Sequence, residues 1–486
     1  MLQSRRNESG GIRAAYLRTA LSLVCLTVVL LLRATPAMGL EHVYRIVVAD
    51  DLRTVTVEAQ LAGGVTKLQA RNGTTSRLEG LRTCDDMPLR ARGNGIITSE
   101  SNSCVRYSYP LRSSQRERMA LPDDVVVSIP SEWLWLPSLA EEDRLRIELE
   151  VPTGLECSVP WLAAGPGVYY LEASPLSSRG AVIIGRFSQY DLDIPGGRLR
   201  VALIDSPDNP LEEINIIAWL RSSAADVAGV SGRFPNPQPQ IIVQSGESRR
   251  DRPSRSAVPF GYVIRDGGET VRFYVDAGRP LDDYLGDWTA THEFSHLLLP
   301  YIASEQKWIS EGFASYYQNV LLARRGVYTE ENAWWRLVRS FRRAAEISRP
   351  PALNDISERS FGEVRMLIYW SGAAIALMAD TRLRELSGGT ESLDTVLARL
   401  QECCLPSKRT WQGAEFFNKL DELSPYPIFV ELYEKYAHRR GMPDMVEIYD
   451  DLGIKPAADG VILASQAKLA EVRRAIMSPS ATQSAL

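Results

Sequence analysis

The chain has 486 residues, a formal net charge of -5 and 24% charged residues. This length suffices for two to four domains, each with its own hydrophobic core. The charge balance does not favour a nucleic-acid partner, and none is expected. The densest basic cluster is interpreted as the solvated face of a helix and consists of Arg336, Arg339, Arg342 and Arg343.

The first 39 residues predict a secretory signal peptide. Four arginines precede an apolar run over residues 20–32, and residues 37–39 offer a small-residue cleavage site before Leu40. The apolar run is too short for a comfortable membrane span. We therefore expect an exported protein, periplasmic or secreted, with no stable membrane insertion after signal cleavage. An uncleaved N-terminal membrane anchor is the alternative.

Five of the six cysteines remain after that cleavage, because Cys25 lies within the apolar run. An exported compartment permits disulfides, and an odd number leaves at least one cysteine outside an intramolecular bridge. Cys84 and Cys104 are expected to pair, closing a polar loop. The adjacent Cys403 and Cys404 could form a vicinal disulfide, but two buried thiols, or one bridged elsewhere, are preferred.

Residues 40–205 show alternation of apolar and polar side chains with a period of two. Such alternation predicts half-buried strands of an antiparallel sheet. We therefore predict an N-terminal β-sandwich domain over residues 40–205. The strands are expected at residues 44–48, 54–61, 125–129, 145–151, 181–187 and 199–204.

The pattern changes in residues 206–325, for which an α/β domain is predicted. A helical stretch is followed by a strand at residues 240–244 and by a strand pair at residues 262–264 and 271–275. A glycine-containing turn fits between the paired strands. A helix ending at Pro300 then carries the most informative motif of the chain.

That motif is His-Glu-Phe-Ser-His at residues 292–296. On a helix His292 and His296 lie on one face and can present two imidazoles to one metal ion, while Glu293 can reach a metal-bound water and act as its base. Glu311, in a second helical pattern, would complete a ligand set typical of catalytic zinc. One zinc ion is therefore expected. The alternative is a helix whose histidines are ordinary core or surface residues.

With residues 308–317, Trp-x-x-Glu-Gly-Phe-Ala-x-Tyr-Tyr, the motif resembles the gluzincin metallopeptidases. It is most similar to the glycyl aminopeptidases, which are related to the membrane alanyl aminopeptidases. The resemblance implies His292, His296 and Glu311 as zinc ligands, Glu293 as general base and a thermolysin-like domain over residues 206–325. Only fourteen residues separate His296 from Glu311, fewer than is usual. The missing segment normally carries basic residues, so substrate preference is not implied.

A second resemblance lies at Tyr369-Trp370-Ser371-Gly372-Ala373. It looks like the Tyr-x-Lys-Gly-Ala motif of alanyl aminopeptidases, whose tyrosine stabilises the oxyanion of the reaction. The resemblance implies that role for Tyr369, although Ser371 replaces the lysine. The alternative is a tyrosine packed on an amphipathic helix.

Two expected features of an aminopeptidase are not recognisable. The acidic group that holds the substrate amine has no clear counterpart; Glu269 is a candidate by position, but a solvated hairpin glutamate is preferred. Ser315 stands where thermolysin-like enzymes have an aspartate, so no partner for a zinc-binding histidine is identified. Exopeptidase and endopeptidase activity both remain open.

Beyond Tyr317 the periodicity is helical to the end. Residues 326–455 are expected to form a helical domain closing the cleft, as the resemblance implies, with Thr329 starting one helix. Residues 456–486 are expected to form a C-terminal helix and tail. The family often adds a PDZ domain, which we predict to be absent because too few residues follow Gly453.

The complete prediction is a multidomain protein with a β-sandwich, a thermolysin-like α/β metallopeptidase domain and a mostly helical C-terminal part. We expect an exported zinc metallopeptidase that hydrolyses peptide bonds in a peptide or protein substrate. The alternatives are an inactive gluzincin-fold protein that binds peptides or a partner protein through its β-sandwich, and a zinc hydrolase of another kind. The sequence does not indicate the oligomeric state.

Overall fold

The computed structural model describes residues 39–70, 72–93, 95–98, 103–111, 121–140, 142–172, 180–206, 210–246, 256–265, 268–356 and 361–479. The expected signal peptide, apart from Gly39, lies outside these residues. Within the described part of the chain, no helix combines the length and the apolar character needed to span a membrane.

The N-terminal part is rich in strands, as predicted. A 3-10 turn (Thr75–Arg77) and one α-helical turn, α1 (Pro130–Trp133), interrupt them. The strands are β1 (Glu41–Val48), β2 (Thr54–Gln60), β3 (Lys67–Gln69), β4 (Glu79–Thr83), β5 (Arg90–Arg92), β6 (Gly95–Ile97), β7 (Cys104–Pro110), β8 (Val125–Ser128), β9 (Arg144–Glu150), β10 (Glu156–Ser158), β11 (Leu162–Gly165), β12 (Val168–Glu172) and β13 (Val182–Gly185).

These strands form a seven-stranded sheet in the order β11-β12-β9-β1-β2-β7-β4 and two three-stranded sheets, β10-β13-β8 and β3-β6-β5. Ile46, Leu68 and Val182, one from each sheet, belong to one buried core. The prediction of an entirely antiparallel sheet is wrong for β1 and β9, which pair in parallel. The alternation of side chains gives the buried face of a strand but not the direction of its neighbour.

The tryptophans of residues 133–136 pack in this core. Trp133 and Trp135 are buried, and their carbonyl oxygens accept hydrogen bonds from the hydroxyls of Tyr107 and Tyr44. Both tryptophans therefore have a packing role in this core.

Two disulfides join described cysteines. The predicted bridge between Cys84 and Cys104 is confirmed. The preference for two buried thiols or a more distant bridge at Cys403 and Cys404 is wrong, because these neighbours are bonded to each other at the end of a helix, where Cys403 is exposed. Cys157 is the cysteine left free among the described residues.

A second, mixed sheet begins before residue 205. Its order is β14-β15-β16-β18-β17, with β15, β16 and β18 parallel and an antiparallel strand at each edge. The elements of this part are β14 (Ser188–Ile194), β15 (Gly197–Ile204), α2 (Glu213–Ala228), β16 (Gln240–Ser245), β17 (Phe260–Ile264), β18 (Thr270–Val275), α3 (Leu281–Leu285) and α4 (Thr289–Ser295).

Strand β15 corrects the predicted domain boundary, because it pairs with β16 and not with the N-terminal strands. Its residues alternate between two cores. Val201 and Leu203 share a core with Trp219 of α2, whereas Ala202 and Ile204 pack with Val127 of β8. A strand buried on both faces is typical of a sheet covered on both sides. The sheet that precedes the motif helix α4 therefore starts near residue 188.

The C-terminal part is mostly helical, as predicted. Thr329 accepts a hydrogen bond from the backbone N–H of Asn332 and caps a helix, as expected. The prediction that the chain is helical to its end is wrong for residues 454–463, which form a small β-hairpin. The elements are β19 (Tyr301–Ile302), α5 (Lys307–Arg324), α6 (Glu330–Ala345), α7 (Phe361–Ser387), α8 (Leu393–Cys404), β20 (Thr410–Trp411), α9 (Gly413–Leu423), α10 (Phe429–Tyr436), α11 (Val446–Leu452), β21 (Ile454–Pro456), β22 (Val461–Leu463) and α12 (Ala470–Met477).

A buried polar network joins α5, α7 and α8. The hydroxyl of Tyr316 donates to Asp380 at 2.7 Å, and the hydroxyl of Tyr317 donates to Asp394 at 2.9 Å. Arg384 and Arg324 pair with these two aspartates at 3.0 and 2.8 Å. The motif tyrosines therefore hold helices together, and their polar groups satisfy each other within the core.

Replacing one carboxylate of this network should destabilise the fold strongly. We expect Asp380→Ala to lower the free energy of unfolding by about 3–5 kcal/mol, because it leaves the guanidinium of Arg384 buried without its partner. Denaturant unfolding measures the effect. The control is Arg382→Ala, which removes the exposed Arg382–Glu431 pair and should cost less than about 1 kcal/mol. Equal losses in the two variants would contradict the assigned role of the network.

Candidate metal centre

The motif helix α4 is held at both ends. At its start, Asp287 accepts a hydrogen bond from the backbone N–H of Thr289 at 2.8 Å. A single 3-10 turn from His296 to Leu298 continues it. Arg265 donates to the carbonyl oxygens of His296 and Leu299 at 3.0 and 2.6 Å. Arg265 thereby supplies donors to carbonyl oxygens at the helix end.

Glu269 holds Arg265 in this position through an ion pair of 2.7 Å, with both side chains buried. The interpretation of Glu269 as a solvated hairpin glutamate is therefore wrong, because the hairpin folds back against the end of the motif helix. Its carboxylate holds Arg265 against the end of α4 and is already paired with that guanidinium. Glu269 is accordingly not the missing group that holds a substrate amine.

The structure brings the three predicted metal ligands together. Ligand atoms of His292, His296 and Glu311 all lie within 4.8 Å of one another. Nε2 of His292 is 3.4 Å from Oε2 of Glu311, and Nε2 of His296 is 3.6 Å from the same oxygen. Two ligand atoms of a tetrahedral zinc ion lie about 3.3 Å apart, since each is about 2.0–2.1 Å from the metal. The observed separations fit such an ion.

Glu311 provides a second test of the fit. Its Oε2 atom is buried and accepts no hydrogen bond from any described residue. A buried carboxylate oxygen without a donor is costly unless another ligand satisfies it. Burial lowers the pKa of His296 to about 4, so its imidazole is neutral and able to coordinate a cation at neutral pH. Both observations fit a metal ion between these residues.

Glu293 lies beside the ligands. Its Oε2 atom is 4.0 Å from Nε2 of His296, and burial raises the pKa of this carboxyl to about 7. Strand β17 passes directly over it at Gly261, where a Cβ atom would lie 2.9 Å from Cγ of Glu293. Glycine at this position therefore permits the edge strand to approach the carboxylate closely.

The orientation of His292 is set by a residue that the sequence analysis missed. Nδ1 of His292 lies 2.8 Å from Oε1 of Gln318. An amide oxygen only accepts hydrogen bonds, so Nδ1 donates to Gln318, and Nε2 is the ring nitrogen that faces Glu311 and would coordinate a metal. Gln318 lies seven residues after Glu311, two turns along the same face of α5. Ser315, the position at which the sequence analysis looked for such a partner, lines the cavity instead. Its hydroxyl has no hydrogen-bond partner among the described residues.

Tyr369 of α7 lies beside His292 and lines the cavity. Its ring stacks on the imidazole of His292 with centroids 5.9 Å apart and planes 9° from parallel. Burial raises the pKa of the phenol, and the nearby carboxylates of Glu311 and Glu293 raise it further. The hydroxyl therefore stays protonated and can donate a hydrogen bond. Of the remaining histidines, His438 is exposed, and His42 is buried in the N-terminal sandwich.

Helices α5 and α7 touch at two glycines. A Cβ atom at Gly312 would lie 2.2 Å from Cα of Gly372, and one at Gly372 would lie 1.9 Å from the carbonyl oxygen of Trp308. These distances allow no side chain at either position. The contact brings Glu311, next to the first glycine, close to Tyr369, one turn before the second.

A cavity of about 470 Å³ opens over these residues. It is bordered by the edge strand β17 and by helices α4, α5, α6 and α7. The residues that line it are Pro259, Phe260, Gly261, Trp288, Thr289, His292, Glu293, Ser315, Gln318, Asn319, Arg336, Arg339, Ser340, Arg343, Arg365, Met366, Tyr369 and Trp370.

Residues 301–371 match the M61 glycyl aminopeptidase family. This segment contains Glu311 and Tyr369, and the resemblance predicted from the motifs is confirmed there. No curated protein matches the chain.

Solved structures share the fold. An aminopeptidase N family protein from Idiomarina loihiensis is 15% identical, with a TM-score of 0.61 over 85% of this chain and 78% of that one. A variant of an M1 zinc metallopeptidase from Deinococcus radiodurans, bound to a Tyr-Ser-Ala substrate, is 12% identical, with a TM-score of 0.51 over 84% and 95% of the two chains. The multidomain architecture, β-rich at the N-terminus and helical at the C-terminus, is therefore similar to the fold of these M1 metallopeptidase structures.

The glycine contact gives a prediction about the site. We expect Gly372→Ala to lower the free energy of unfolding by about 1–3 kcal/mol and to weaken zinc binding, because the added methyl group forces α5 and α7 apart. Thermal unfolding and zinc titration measure the two effects. Gly362→Ala, in the same helix with no atom within 4 Å of the new methyl group, is the matched control and should leave both unchanged. Wild-type zinc affinity in Gly372→Ala would show that the contact does not position Glu311.

Proposed function

We propose that this protein is a zinc metallopeptidase of the gluzincin type that hydrolyses peptide bonds. The observation that carries the proposal is the convergence of His292, His296 and Glu311 beside the buried carboxylate of Glu293, at the base of an open cavity. The match of residues 301–371 to the M61 family and the M1 metallopeptidase fold support it. A thermolysin-like arrangement of residues 188–325 is part of the proposal.

One zinc ion would be held by Nε2 of both histidines and by the carboxylate of Glu311. When bound, zinc polarises a carbonyl oxygen and lowers the pKa of a water molecule to about 7. Gln318 orients His292 for this role through the hydrogen bond at Nδ1. The short connection between His296 and Glu311 is compatible with the site, because the 3-10 turn after His296, β19 and a second 3-10 turn occupy it before α5 begins.

Glu293 is the proposed general base. Its pKa of about 7, raised by burial, makes the carboxylate a stronger proton acceptor than an exposed glutamate. A bound dication would lower this pKa through its charge. The carboxylate takes a proton from the attacking water and returns it to the leaving amine, so one side chain serves both halves of the reaction.

Tyr369 is the proposed oxyanion donor. Tyr369 lines the same cavity as Glu293, and burial together with the nearby carboxylates raises the pKa of its phenol, which keeps the proton on the hydroxyl. Donors aimed at the developing oxyanion stabilise the transition state more than the substrate. Stacking on His292 fixes the ring in place.

The edge strand β17 is the proposed binding strand for an extended peptide. Residues 259–261 line the cavity at this edge, where main-chain groups can pair with a substrate backbone. Aminopeptidase activity is the finer proposal, supported by the M61 match. Among the described residues that line the cavity, Glu293 is the one carboxylate, and it is assigned to the chemistry.

Export with cleavage before Leu40 is also proposed. The disulfide between Cys84 and Cys104 is compatible with an oxidising compartment. The backbone nitrogen of Leu40 donates to Asp143 at 2.8 Å. A free amino group at that position would make the same contact as an ion pair.

Metal analysis tests the ligand assignment. Purified protein should contain one zinc ion, and His292→Ala, His296→Ala and Glu311→Ala should each lose it, because three ligands are the usual minimum for a catalytic zinc site. Elemental analysis after dialysis measures the content. His438→Ala, which removes an exposed histidine, should keep the full content. If Glu311→Ala binds zinc as tightly as the wild type, the third ligand is wrong.

Kinetics of two further variants test the catalytic roles. Glu293→Gln should keep zinc while turnover falls by about two to four orders of magnitude, since an amide cannot take the proton. Tyr369→Phe keeps the stacked ring and should lower kcat about a hundredfold with KM little changed.

The control for Tyr369→Phe is Tyr316→Phe. It removes a hydroxyl bonded to Asp380 in the core, so it should reduce stability without this effect on kcat. Normal turnover of Tyr369→Phe beside an inactive Glu293→Gln would remove Tyr369 from the reaction.

A further inference from the structure

We propose that an arginine cluster in the cavity, formed by Arg336, Arg339, Arg343 and Arg365, selects peptides that carry a carboxylate near the scissile bond. This inference rests on the proposed peptidase function and adds its substrate class. The ligand chemistry is a carboxylate, supplied either by an aspartate or glutamate side chain or by the C-terminus of a short peptide.

Three of these arginines come from one face of α6. Positions 336, 339 and 343 are separated by three and four residues, so their side chains lie above one another on the helix. The sequence alone favoured a solvated face for this cluster. Arg339 and Arg343 are exposed, as that interpretation expects, and all three arginines also line the cavity that contains His292 and Tyr369. Buried Trp334, Leu337 and Phe341 fix the rotation of α6 about its axis.

Arg365 reaches the cavity from a different helix. It lies on α7, one turn before Tyr369, directly after a kink at Val364. Its positive charge already acts on the phenol of Tyr369, where it opposes the effects of burial and of the nearby carboxylates on the pKa. The cluster is therefore a feature of the cavity, assembled from two helices around the proposed oxyanion donor.

The charges of the cluster are not neutralised within the described structure. Arg339, Arg343 and Arg365 are exposed to the cavity and form no ion pair with described residues. Arg336 lies over the ring of Tyr328 and donates to the amide oxygen of Asn332, and it too has no carboxylate partner among the described residues.

Guanidinium groups suit carboxylates well, because their planar N–H donors can bind both oxygens. The described cavity lining contains four of them and one carboxylate, that of Glu293. Such a concave, positively charged surface attracts anionic groups and repels a substrate ammonium. The cluster therefore favours peptides with a carboxylate on the side of the cavity bordered by α6 and the start of α7.

Four peptides with the same central sequence distinguish an acidic side chain from a C-terminal carboxylate as the preferred group. The first is neutral with an amidated C-terminus, and the second carries glutamate in an amidated peptide. The third has a free C-terminal carboxylate, and the fourth replaces glutamate by lysine. We expect kcat/KM for at least one carboxylate peptide to exceed that of the neutral peptide about tenfold, with the lysine peptide poorest. Added salt should reduce this preference, because the arginines are accessible to water.

Substitutions in the cluster then test whether these arginines cause the preference for carboxylate peptides. Arg339→Gln and Arg343→Gln should each reduce the ratio of carboxylate to neutral kcat/KM about two- to fivefold, and the double variant roughly tenfold. The matched control is Arg342→Gln in the same helix. Arg342 lies over the ring of Trp335 and does not line the cavity, so the ratio should stay at its wild-type value.

A binding measurement distinguishes failure of this inference from failure of the proposed peptidase function. Calorimetry with zinc-loaded Glu293→Gln measures peptide affinity without turnover, so it applies even if no peptide is hydrolysed. Absence of hydrolysis by the wild type would overturn the peptidase proposal alone. Tighter binding of a carboxylate peptide, lost in the Arg339→Gln/Arg343→Gln form, would support the cluster. Equal binding and equal cleavage of all four peptides, or a preference unchanged in that double variant, would overturn it.

Discussion

The proposed site depends on the contact between Gly312 and Gly372, where the backbones of α5 and α7 meet without intervening side chains. Glu311 precedes the first glycine, and Tyr369 lies one turn before the second. A larger residue at either position would separate a proposed zinc ligand from the proposed oxyanion donor. The glycines in the two motifs therefore have a packing role, which explains why each motif joins a functional residue to a glycine.

One face of helix α5 carries residues of the proposed metal site, and another face packs in the core. Glu311 and Gln318, two turns apart, point to the histidines, whereas Tyr316 and Tyr317 donate to the buried aspartates of α7 and α8. The core network fixes the rotation of the helix about its axis. Because a rotation of the helix would move the carboxylate of Glu311 relative to both imidazoles, the polar core contributes to the geometry of the metal ligands.

The sequence predicted those parts of the site that depend on local spacing. His292 and His296 follow from helical periodicity, and Glu311 and Tyr369 follow from motif resemblance. Gln318 was missed because a glutamine two turns after a ligand has no distinctive pattern. Arg343 was correctly placed on an exposed helix face, but its position in the cavity was missed, because periodicity identifies a helix face and not the surface that this face borders. Likewise, alternation gave the strand at 199–204 but not its partner β16, since pairing is decided by distant residues.

The charge distribution in the cavity also constrains the direction of a bound peptide. The guanidiniums of α6 and α7, which have no ion pair among the described residues, line the same cavity as Tyr369, while the edge strand β17 passes over Glu293. A free ammonium next to the arginines would be repelled, whereas a carboxylate there would be stabilised. A peptide paired with β17 would therefore place its carboxylate-bearing portion toward the arginines and its amino terminus away from them. The direction of binding would follow from electrostatics, without an acidic group dedicated to the amine among the described residues that line the cavity.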